Sequence, residues 1–155
     1  MGHNPVNHPL RPLYRALGAL TGAYLVLFGI LGAIMTAGEG LFGNGEDRVL
    51  GQETNLFWSI ASVIIGAIVL IATAMGRNAD TVVDRYLGWA LLVVGSYELA
   101  VIRTDANFLN FSVSTVVVTY LLGLVLIMAA YYSKVAPAEQ TGPPRQARER
   151  QAQSA

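Results

Sequence analysis

Residues 56–75 read LFWSIASVIIGAIVLIATAM, a run with no charged side chain. Twenty residues rising 1.5 Å each make a helix about 30 Å long, which matches the hydrocarbon core of a bilayer. Three more apolar stretches flank this one, at about 17–37, 86–102 and 111–132. The reading is an all-α polytopic membrane protein, a four-transmembrane-helix bundle occupying residues 13–135. A short cytoplasmic tail (1–12) precedes it, and a proline-interrupted polar tail (136–155), expected to be disordered, follows.

Composition points the same way. Hydrophobic residues make up 54% of the 155 residues and charged ones 13%. Soluble chains carry about 25% charged residues, so this chain lacks the polar surface that water would demand. Its formal net charge is +0, which leaves no global basic signature for nucleic acid. With no cysteine, disulfides, thiolate metal sites, iron–sulfur clusters and cysteine nucleophiles are excluded.

Basic residues orient the spans. Putting both termini inside places Arg11, Arg15, Arg77, Arg85 and the four basic residues from Lys134 onward in the cytoplasm. Only Arg48 and Arg103 then lie outside, as the positive-inside rule prefers. The expected location is the bacterial cytoplasmic membrane, crossed four times. Residues 38–54, acidic and rich in glycine, read as a solvated external connector in which Leu41, Phe42, Val49 and Leu50 could touch the membrane surface.

A faint internal echo points to two tandem helical hairpins. Arg15-Ala16-Leu17-Gly18 opens the first span and Arg85-Tyr86-Leu87-Gly88 the third. Gly66/Leu70/Ala72 and Gly123/Ile127/Ala129 recur in the second and fourth. Helices in lipid associate by close packing, so small residues mark contact faces. Gly18, Gly22, Ser62, Gly66, Gly88 and Gly95 are therefore the candidate surfaces for bundle packing or for a partner helix.

Glu98 is the one carboxylate well inside an apolar run, and ionisable groups there usually have a function. It lies about one turn from Arg103 at the external boundary. With Tyr97 and Arg103 it forms the candidate intramembrane polar site, expected to pair with a cation or reach water. The sharper alternative is a proton or cation site. Small multidrug exporters also have four spans, but keep their carboxylate in the first helix, where this chain has none.

Other chemistry finds few parts. His3 and His8 both precede the first span, so no intramembrane pair is available for haem. No catalytic triad can be assembled within the spans and no phosphate-binding glycine loop is present. No catalytic, cofactor-binding or metal residue is assigned, and the chain is read as non-catalytic. Asn110-Phe111-Ser112 has the form of a glycosylation acceptor directly beside the fourth span.

Residues 11–135 resemble the small four-helix actinobacterial, mycobacterial-type membrane proteins grouped as a domain of unknown function. Arg85-Tyr86-Leu87-Gly88-Trp89 and the turn from Arg103 to Ser114 carry most of the resemblance. It implies no catalytic motif. By analogy it implies an accessory or stabilising subunit of a larger envelope complex, of the lipid-import or respiratory type, with membrane lipids and other integral membrane subunits as partners. That reading predicts aromatic faces, at Tyr24, Phe28, Trp58 and Trp89, left outside the closed bundle. The alternative is a lipid- or quinone-binding carrier with a polar pocket near Ser59, Ser62, Ser96 and Thr119.

Overall fold

The computed structural model describes residues 6–46, 48–137 and 152–153. Four helices account for most of them: α1 (Arg11–Met35), α2 (Leu56–Met75), α3 (Ala79–Val101) and α4 (Val113–Tyr132). α1, α2 and α4 are long and apolar enough to cross a membrane. α3 has the length but carries more polar residues; its exposed face is largely apolar and aromatic, with Val82, Tyr86, Trp89 and Val93 all half exposed or more. The expected tail from residue 136 falls almost wholly outside the described residues.

Local signals set the helix ends. Pro12 sits in the first turn of α1, where its missing N–H leaves no bond unmade. α2 starts at Asn55, whose side chain accepts the Trp58 N–H at 2.9 Å, and stops at Gly76, with φ +63°. α4 starts with a capping box between Ser112 and Thr115. Asp80 and Asp84 carry the third helix back to residue 79, seven residues before the expected span start at 86.

Glycine decides how the helices pair. α1 packs on α2 where Gly22 meets Gly66; a Cβ added at Gly66 would lie 2.5 Å from the Gly22 carbonyl oxygen. α3 packs on α4 where Gly88 meets Gly123, at 2.8 Å by the same construction. The two antiparallel hairpins then close around Leu25, Phe28, Val69, Leu91, Val116 and Leu126. The echo between halves is offset at the crossings. Gly18 aligns with Gly88 in sequence, but Gly22, one turn further, makes the first crossing.

The α1–α2 connection is not the loose connector its glycines foretell. A two-stranded hairpin, β1 (Arg48–Val49) and β2 (Gln52–Glu53), turns at Leu50 and Gly51, with φ +51° and +80°. It folds over the bundle end, burying Val49, Gln52, Thr54 and Asn55. Asn110 donates from Nδ2 to the carbonyls of Gly45 (2.9 Å) and Thr54 (3.1 Å). Thr115 Oγ1 donates to the Glu53 carbonyl at 2.8 Å. With the Glu53 N–H donating to Ser112 Oγ at 3.4 Å, the bonds spread over Asn110, Ser112 and Thr115 make a clasp that no single residue announces. Asn110 is spent in the clasp and turned away from solvent, so the acceptor motif is closed to a glycan. Leu41, Phe42 and Leu50 stay about half exposed.

At the opposite end the segment before α1 meets the segment after α4. Asn7 N–H donates to the Lys134 carbonyl at 3.0 Å and its amide to the Ala136 carbonyl at 2.7 Å. His8 leans edge-on against Tyr14 and Tyr132, so it is packed rather than free in a tail.

Candidate functional site

Along α3 the buried positions are Asp80, Thr81, Asp84, Gly88, Leu91, Gly95 and Glu98. Steps of three and four place 84, 88, 91, 95 and 98 on one face of a helix. Three carboxylates therefore look into the bundle, each no more than 1% exposed. Asp84 and Glu98 stand 14 residues apart, about 21 Å along the helix. Gly88, Leu91 and Gly95 lie between them, against an apolar core.

Asp80 has its counter-charge. Arg15 Nε of α1 stands 2.8 Å from Asp80 Oδ2, and Arg11 Nη2 lies 4.0 Å away. Arg15 Nη2 also donates to the Thr73 carbonyl of α2, and Arg11 Nε to the Ser133 carbonyl at 2.8 Å. One cluster thus ties the terminal end of all four helices together. Arg85 lies over the Tyr131 ring, 5.7 Å from its centre.

Asp84 is one turn deeper and lacks such a partner: its Oδ1 is buried without a hydrogen bond. Its Oδ2 fills the space over Gly18, where an added Cβ would come within 2.8 Å. The two glycines of the Gly18/Gly22 pair thus serve different neighbours. Gly22 admits the backbone of α2, and Gly18 admits the Asp84 side chain. Both are buried, as are Ser62, Gly66, Gly88 and Gly95.

Glu98 sits differently from its expected boundary position. It is fully buried, and among the described residues neither carboxyl oxygen has a hydrogen-bond partner. Arg103 is exposed beyond the end of α3, and among the described residues no ion pair joins the two. Tyr97 faces outward, 45% exposed, with its hydroxyl 3.5 Å from the Ala106 carbonyl. The expected Tyr97–Glu98–Arg103 site is therefore not assembled. Glu98 instead shares the interior with Ser62, whose hydroxyl is also buried and unpartnered.

The expected polar pocket divides in the same way. Ser59, Ser62 and Thr119 are buried, whereas Ser96 is exposed and bonds Tyr120 across the α3–α4 surface at 2.8 Å. Among the described residues no cluster of three or more acidic, histidine or cysteine side chains is placed to hold a metal.

The family comparison covers this whole arrangement. Residues 15–132, from Arg15 in the first turns of α1 to the end of α4, match the domain of unknown function DUF4383. The chain belongs to the DUF4383 family. The match takes in Arg15, Asp80, Asp84 and Glu98, so the inward-facing carboxylates lie within the DUF4383 region. A search of curated proteins finds no match, and neither does a search of solved structures. Membership in DUF4383 brings no activity with it, and function has to be argued from the geometry.

Proposed function

We propose that this DUF4383 protein is a four-span, non-catalytic accessory subunit of a larger complex in the cytoplasmic membrane, with both termini in the cytoplasm. One observation carries the reading: the outer face of α3. Val82, Tyr86, Trp89, Val93 and Tyr97 form a continuous stripe there, from 45% to 72% exposed. Phe28 and Trp58 are buried and Tyr24 bonds Gln52, so of the expected aromatic faces Trp89 stays outside, and with Tyr86 it is more exposed than Phe57 of α2 (39%) or Tyr131 of α4 (38%). Tyr and Trp are enriched at protein interfaces and at the headgroup level of membranes. The stripe runs from Val82 to Tyr97, about two thirds of α3, which fits a helix of another membrane protein better than a headgroup belt.

Polar residues support the four-span part of this reading. α3 falls short in apolar content because its carboxylates point inward, not because its outside is wet. By analogy with the resembling actinobacterial proteins, the host is an envelope machine of the lipid-import or respiratory type. The test is a native purification from the membrane through a C-terminal tag, with co-purifying proteins identified and their stoichiometry measured. A large complex at fixed ratio supports the subunit reading. Recovery of the chain alone, across several mild detergents, overturns it.

A second reading rests on Glu98. A fully enclosed carboxylate with two unpartnered oxygens is the form that a proton-binding group takes inside a membrane. In that case Glu98→Gln abolishes a proton-coupled flux measured in vesicles, and an unchanged flux removes the reading.

A further inference from the structure

The two hairpins meet along α2 and α3, and there no glycine pair draws the helices together. The seam opens into an apolar cleft of about 660 Å³, lined by Ile68, Ile71 and Met75 of α2 and by Val82 and Val83 of α3. This volume lies within the roughly 300–1,000 Å³ of small-ligand sites. The cleft follows about two helical turns, about 10 Å. Its walls offer hydrocarbon and almost nothing that could bond a polar ligand.

The end of the cleft is different. It is closed by the turn Gly76-Arg77-Asn78, which joins α2 to α3. Arg77 is exposed, and among the described residues it has neither an ion pair nor a hydrogen bond. The nearest carboxylate on α3, Asp80, is already held by Arg15. A full positive charge is therefore left at the rim of an apolar slot. The N-terminus of α3, beginning at Ala79, adds partial positive charge at the same end.

We propose that the cleft holds one acyl chain of an anionic phospholipid, with the lipid phosphate against Arg77. The inference rests on the four-span orientation proposed above, which sets Arg77 at the cytoplasmic headgroup level. Charge complementarity selects the occupant: a hydrocarbon chain fits the walls, and an anion completes the rim. The lipid fills the joint between hairpins that protein packing leaves open.

The test uses the full chain in mixed detergent–lipid micelles with equal phosphatidylglycerol and phosphatidylcholine, read by native mass spectrometry. The expected result is retention of phosphatidylglycerol over phosphatidylcholine by about fivefold, the effect of one basic residue near an anionic headgroup. Arg77→Gln removes the preference, and Arg77→Lys keeps most of it. Val82→Trp, which fills the cleft from an exposed position, lowers retention of both lipids. Equal retention of the two lipids by the native chain overturns the proposal. So does a preference that survives Arg77→Gln, or a cross-link that places a second copy or another protein in the cleft. Alkaline extraction separates this failure from failure of the membrane reading. A chain that stays in the membrane pellet but shows no lipid preference loses only the lipid site.

Discussion

Arg15 and Asp80 meet at 2.8 Å between α1 and α3, two helices that otherwise scarcely touch. The pair is lopsided. Asp80 is 1% exposed and Arg15 29%, and Arg15 holds the Thr73 carbonyl as well. Losing one partner should therefore not equal losing the other. Arg15→Gln strands a buried carboxylate and should cost about 3 kcal/mol. Asp80→Asn leaves an arginine that reaches water and a carbonyl, and should cost about 1 kcal/mol. Thermal melts of the purified variants check the order, and the double variant should recover part of the Arg15→Gln loss. Equal costs would mean that Asp80 is not the dependent partner.

Close backbone approach gives the second expectation. Gly66→Leu puts a side chain where the Gly22 carbonyl oxygen already lies, 2.5 Å from the added Cβ, and must force α1 from α2. Overpacking of this kind costs at least about 1–3 kcal/mol. Gly38→Ala, with nothing within 4 Å, is the control and should leave the melt unchanged. Size-exclusion retention after graded heating reports both. A Gly66→Leu chain as stable as the native one would deny the crossing.

Asn110 tests the clasp over the far end of the bundle. Its φ of +55° is a left-handed conformation that asparagine accepts more readily than most residues. Asn110→Ala loses both the conformation and the two bonds to Gly45 and Thr54, at about 2 kcal/mol. The first consequence should be local: faster proteolysis within residues 38–53, before any change in the helices. Cleavage at the native rate would show that the hairpin holds itself.

How much of this was readable beforehand depended on the range of the interaction. The 56–75 run shows its helix outright, because length and apolar content suffice, and the helix has those bounds. The near ends of α1 and α3 run further than the apolar stretches do, since Arg11, Arg15, Asp80 and Asp84 satisfy one another or hide among helices rather than ending them. Asp80 and Asp84 precede the apolar stretch at 86–102 and so lie outside the span that hydropathy marks, although the 84/88/91/95/98 spacing marks their face. Glu98 stands out in the sequence as a carboxylate inside an apolar run, but its surroundings depend on which way α3 is turned. The clasp was illegible for the same reason: glycine and acidic residues describe a loop's freedom, and only Asn110 and Thr115, some 60 residues away, remove it.

The stripe on α3 separates folding from assembly. Trp89 is 53% exposed and Tyr86 72%, so replacing both with leucine keeps an apolar surface and should shift the melt by less than about 0.5 kcal/mol. If the stripe receives a partner helix, the same change should reduce co-purification several-fold, because interface aromatics carry much of the binding energy. A pair of Leu27 and Ile30 changes to alanine on the exposed face of α1 serves as the comparison. Equal effects from both faces would place the partner elsewhere.

Glu98 offers the sharpest distinction between structure and function. An enclosed carboxylate without a bonded partner is a burden on the fold, at several kcal/mol when charged. Glutamine has nearly the same shape and no charge, so Glu98→Gln should raise the melting temperature, by roughly 3 °C for each kcal/mol relieved. Glu98→Ala removes the burden but opens a cavity, and should gain less or lose. A fall in stability on Glu98→Gln would mean that the carboxylate is held by a contact it needs, and the burden argument would fail. A rise that comes with lost partner binding or lost proton flux would instead identify Glu98 as a group kept for its task at the expense of the fold.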